Sequence, residues 1–74
     1  MTACRLKPGR HFLKKAANMG IRIDEAERLA NRGTKRRGTT RRGEPCTVAS
    51  DQWKKVTYTN PRECTYFGIT IDYV

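Results

Sequence analysis

Seventy-four residues carrying sixteen Lys and Arg against seven Asp and Glu give a net charge of +9. That length allows one domain near the lower limit for independent folding, and Ile, Leu, Val and Phe number only twelve, so any core is thin. No apolar run resembles a membrane span or a secretory signal, so membrane partners are not expected and a cytoplasmic, polyanion-binding protein is.

Met1 to Lys7 alternates mildly and reads as an edge strand with Cys4 and Leu6 on one side, broken by Pro8-Gly9. Arg10 to Met19 has Phe12, Leu13, Ala16, Ala17 and Met19 at spacings of three and four, which predicts an amphipathic helix. Gly20 is placed to end it in a left-handed conformation. Ile21 and Ile23 form an extended connector, and Asp24 with Glu27 predicts a capping box for a second helix that Gly33 stops. Its apolar stripe is narrow: Ala26, Leu29 and Ala30.

From Arg32 to Gly43 the chain holds six basic residues, three glycines and no acid, and no apolar side chain lies between Asn31 and Pro45. Such a segment cannot bury itself. The expectation is a flexible basic arm over 32–44 whose Arg32, Lys35, Arg36, Arg37, Arg41 and Arg42 meet phosphates. Pro45 to Ala49 reads as a short strand with Cys46 and Val48 on one side. Trp53 to Thr59 alternates Lys54, Val56 and Tyr58 against Trp53, Lys55, Thr57 and Thr59. After a turn at 60–63, Thr65 to Tyr73 is the clearest strand, and its Phe67, Ile69 and Ile71 face is expected on the helices. Trp53, Lys55 and Tyr66 then face away from the helices, aromatics interleaved with lysine, which suits stacking on single-stranded bases. The predicted architecture is α+β: two short N-terminal helices packed on a small antiparallel sheet that ends in a C-terminal hairpin, with the basic loop between.

Cysteines 4, 46 and 64 are odd in number and lack a Cys-x-x-Cys pair. Free thiols in a reducing compartment are the plain reading, although one bridge could form under oxidising conditions. With His11 they make four zinc-competent side chains but no close ligand pair, so neither a metal nor another cofactor is expected. His11 is the single histidine. Metal-independent RNA cleavage needs a base for the ribose 2′-hydroxyl, an acid for the leaving oxygen and cations on the phosphate, and His11 with Lys14 or Lys15 supplies part of that set. No phosphate-binding glycine loop follows an apolar strand, and serine occurs once, at Ser50.

Residues 11–26, His-Phe-Leu-Lys-Lys-Ala-Ala-Asn-Met-Gly-Ile-Arg-Ile-Asp-Glu-Ala, resemble the opening of small RelE-like domains of the BrnT type. The matching positions are His11, Lys15, Gly20, Ile21, and Asp24 with Glu25. The resemblance implies an endoribonuclease toxin, acting on or off the ribosome and neutralised by an antitoxin, with His11 as acid/base and Lys15 as phosphate ligand. Two other functions fit the same basic arm. One is a non-catalytic phage- or plasmid-type regulator that binds nucleic acid, RNA before DNA, or the ribosome or RNA polymerase. The other is a protein inhibitor docking on an acidic surface.

Overall fold

The computed structural model describes residues 4–74. The elements run β1 (Arg5–Pro8), α1 (Arg10–Met19), α2 (Ile23–Arg32), β2 (Thr34–Thr39), β3 (Pro45–Ser50), β4 (Lys54–Arg62) and β5 (Thr65–Tyr73). The α+β class is as expected; the sheet is mixed rather than antiparallel, with five strands in the order β1-β5-β4-β3-β2. β2 to β5 form an antiparallel meander, and β1 pairs in parallel with β5. Both helices lie between β1 and β2 in sequence. Residues 1–3 of the expected 1–7 edge strand lie outside the described residues.

α1 spans the predicted residues, and Gly20 ends it at φ 70°, donating its N–H to Ala16 and Ala17 carbonyls. α2 begins one residue earlier than predicted. Ile23, half-buried, packs against the core, so Arg22 becomes the cap residue and the capping box does not form. Asp24 Oδ1 accepts instead from the adjacent Glu25 N–H.

The segment 32–44 is not a structureless arm. Thr34–Thr39 pairs residue for residue with Pro45–Ser50, and the turn between them is held by Thr40 N–H to Glu44 O at 2.8 Å and Gly43 N–H to Thr40 O at 2.9 Å. A strand at the sheet rim needs no apolar side chain of its own: one edge is satisfied by β3 and its cations stay in water. The turn expected at 60–63 is instead the pair Glu63–Cys64, because β4 continues through a register shift between Thr59 and Arg62. That shift spans Pro61, which has no N–H to give a ladder.

A second irregularity sets the core. Thr57 pairs with Thr70 but Tyr58 pairs with Gly68, leaving Ile69 as an extra residue in β5. This β-bulge reverses the alternation. Tyr66, Gly68 and Ile71 turn toward the helices, whereas Phe67 is 44% exposed. The expected inward face of Phe67, Ile69 and Ile71 is therefore corrected to Tyr66, Gly68 and Ile71. Gly68 is required there, since a Cβ would lie 2.8 Å from Cδ2 of the fully buried Phe12 ring. Phe12, Ala16, Leu29 and Ala30 close over Ala49, Val56, Tyr58 and Ile71. Tyr58 and Tyr66 rings stand 4.2 Å apart, and Tyr58 OH donates to Ala30 O at 3.3 Å.

Two thiols expected to be free are joined. Cys4 and Cys64 form a disulfide with Cα atoms 4.5 Å apart, fastening the start of β1 to the β4–β5 turn. Bridges persist in oxidising surroundings, so a reducing compartment does not follow from these cysteines. Asn31 secures the same joint. Its Oδ1 accepts from Cys4 N–H and its Nδ2 donates to Cys4 O, each at 2.8 Å.

Candidate nucleic-acid interface

The helices cover one face of the sheet, and on the other lies an open basin of about 860 Å³. Its wall on one side is α1. β1 pairs only with Thr65–Gly68, and after Gly9 N–H bonds Gly68 O the chain turns into α1, which runs beside the rest of β5. There Lys15 Nζ pairs with Asp72 Oδ1, and Tyr73 OH reaches Met19 O at 3.5 Å. In this position the helix gives Phe12 and Ala16 to the core while His11 and Lys15, one turn apart, line the basin.

The opposite wall is the β2–β3 turn, which contributes Thr40, Arg41, Arg42 and Glu44. Thr57, Thr59, Thr70 and Phe67 form the floor, with Cys46 beneath. Asp72 carries two bonds at the rim, from Lys15 and from Thr70 Oγ1 at 3.4 Å. The bridge to Asp72 joins α1 to β5 across the basin edge.

Strand pleating sorts the remaining cations. Residues paired across strands share a face. Arg36, Val48, Thr57 and Thr70 form one row across four strands, and Thr57 and Thr70 place it on the open side. The next row, Lys35, Ala49, Val56 and Ile71, lies on the core side. Arg37 follows Lys35, in register with Thr47 and Tyr58. Lys55 pairs with Asp72 and Lys7 with Phe67 on the open side.

Of the residues predicted as the site, His11, Lys15, Arg41 and Arg42 therefore meet in one basin, and Arg36 and Lys55 share its face. The others are placed elsewhere. Lys35 sits on the helix side with Nζ 6.0 Å from the Tyr66 ring centre. Arg32 lies at the end of α2, beside a small hollow shared with Glu25, Asp51 and Lys54. Trp53 is 68% exposed but stands in the β3–β4 turn rather than on a strand, its N–H held by Asp51 Oδ1 at 2.7 Å. Tyr66, expected as an open stacking surface, is buried on Tyr58 because of the bulge. Phe67, read from the sequence as core, is the aromatic that reaches the basin. No simple alternation could have found it.

Among the described residues two groups depart from their ordinary acidities. Backbone N–H donors of Lys54 and Trp53 hold the Asp51 carboxyl below the usual range. Burial, then the neighbouring Tyr66, pushes the Tyr58 hydroxyl up to about 12. Both lie outside the basin. Among the described residues no three His, Cys, Asp or Glu side chains cluster in a way that could hold a metal ion, and no helix is long and apolar enough to cross a membrane. No family model matches the chain, and neither a curated protein nor a solved structure matches it.

Proposed function

We propose that the open sheet face binds RNA. The observation that carries this is the segregation of charge by the fold. Arg5, Lys7, Lys15 and Arg36 share the open side with Arg41, Arg42 and Lys55, against Asp72 and Glu44. Asp24, Glu25 and Glu27 lie on α2 and Asp51 in the β3–β4 turn, with Glu25 and Asp51 at the other hollow. On this face seven cations stand against two acids, an electrostatic footprint for a phosphate backbone, whereas on the helix side Arg22 and Lys54 are paired with Asp24, Glu25 and Asp51. RNA is favoured over duplex DNA because the cationic face is hollowed into a basin that suits a flexible single strand better than a stiff duplex.

The experiment is a binding titration of labelled RNA at several salt concentrations. Each phosphate neutralised on a single strand contributes a slope of roughly −0.7 in log affinity against log salt, so about five contacts give roughly −3.5. Arg41→Gln with Arg42→Gln should flatten that slope by about 1.4. Arg28→Gln with Arg32→Gln, on the α2 side, should leave it unchanged. Equal losses from both pairs would mean the open face is not the interface.

A second reading, metal-independent RNA cleavage, draws on the placement of His11 and Lys15 one helical turn apart at the basin wall. That is the pair the RelE-like resemblance implies, as it implies two helices followed by a meander of strands. The phosphate cations come from α1 and the β2–β3 turn, since Thr65–Val74 holds no Lys or Arg. His11→Ala should abolish cleavage of RNA while RNA affinity is retained; cleavage that survives the substitution removes His11 from the chemistry.

A further inference from the structure

The basin holds an exposed aromatic ring where a basic sheet face needs none for charge alone. Phe67 is 44% exposed, and in register it lies between Lys7 of β1 and Thr59 of β4. A Cβ on Gly9 would stand 3.2 Å from its Cζ, so the ring edge rests on bare backbone at that glycine. The ring is thus fixed on one side and open on the other. Arg41 and Arg42 rise at one wall and Lys15 at the opposite one. The volume, about 860 Å³, falls in the range of small-molecule pockets and admits one nucleotide.

We infer that the basin seats a single unpaired nucleotide of the bound RNA, its base stacked on Phe67 and its phosphate held by Arg41 and Arg42. This rests on the RNA-binding reading and adds what that reading lacks, a demand for an unpaired base. Stacking tolerates any base because each has a flat π face. A base already paired and stacked in a duplex offers the ring nothing.

The test uses three labelled probes: a single-stranded RNA octamer, an abasic strand of the same length and charge, and an RNA duplex. Each is titrated by fluorescence anisotropy against the wild-type chain and Phe67→Leu, which keeps the apolar bulk but removes the ring. The octamer should bind wild type roughly five- to a hundredfold more tightly than the abasic strand. Phe67→Leu should lose that advantage while binding the abasic strand as wild type does, which also shows that its charged face is intact. If Phe67→Leu binds the octamer as wild type does, or if wild type binds octamer and abasic strand equally, the nucleotide seat is wrong and the RNA reading stands. If wild type binds none of the probes, the RNA reading fails and the seat falls with it.

Discussion

The disulfide offers a large stability change from a simple perturbation. Cys4 and Cys64 are separated by 60 positions, so the bridge closes nearly the whole chain into one loop in the unfolded state. Loop-closure entropy for that length is worth about 4 kcal/mol at 25 °C. A domain of this size has a total stability of about 4–11 kcal/mol, so reduction removes a large share of it. A loss of 4 kcal/mol corresponds to a melting temperature lower by roughly 15–30 °C for a chain of this length. The assay is thermal unfolding followed by circular dichroism, with and without a phosphine reductant, and on Cys4→Ser/Cys64→Ser. The reduced protein and the double variant should agree. β1 has other fastenings, Arg5 N–H to Cys64 O at 3.3 Å and the Asn31 clamp on Cys4, so the fold should survive below the new midpoint. A double variant that melts within about 5 °C of the oxidised protein would refute the loop-closure argument.

Other perturbations act on single joints. Gly68→Ala places a methyl 2.8 Å from the Phe12 ring and should cost about 1–3 kcal/mol in urea unfolding; a neutral result would show that Phe12 can move. Asn31→Ala leaves the Cys4 backbone groups without their partner and should cost about 1–3 kcal/mol in the same assay. Tyr58, whose hydroxyl is held at about 12 against an ordinary 10.0, is protonated in the folded state where the unfolded chain has begun to ionise. Its contribution is whole below pH 10 and is lost as pH rises through 12, roughly 2–3 kcal/mol in all. Tyr58→Phe should flatten the alkaline limb of stability against pH. Asp72→Asn removes the anion that occupies Lys15; if the freed lysine meets a phosphate, RNA affinity should rise and the salt slope should steepen by about 0.7.

The parts of the fold legible in the sequence are those fixed within one turn of chain. Phe12 and Ala16 at helical spacing, Gly20 beyond Met19, and the alternation of Val56 and Tyr58 each specify their element locally, and each is found as read. The basic segment is the opposite case, because its composition says nothing of the neighbouring strand that orders it. Thr34–Thr39 has no apolar residue, yet β3 supplies its hydrogen bonds and Ala49, Val56 and Ile71 supply the core it lacks. The bridge between Cys4 and Cys64 was equally out of reach, for it depends on β1 returning beside β5, a pairing between opposite ends of the chain.

The candidate site was legible in its charges and illegible in its ring, and one extra residue explains the difference. If β5 were regular, Ile71 inside would bring Ile69 and Phe67 inside with it, and Tyr66 would stand on the open face. Ile69 breaks that parity: Ile71 keeps its place opposite Val56 while Gly68, not Ile69, lies opposite Tyr58. The helix side gains from the exchange, because Phe12 fills the space above Gly68 that any larger residue would close. The open side receives Phe67 among the cations of β1, α1 and the β2–β3 turn. Deleting Ile69, the extra residue, should therefore remove the bulge with Gly68 still opposite Tyr58. Phe67 then keeps its place in the basin, and the single-stranded octamer is bound as by the wild-type chain. Lost octamer binding in a variant that still folds would refute this account of the register.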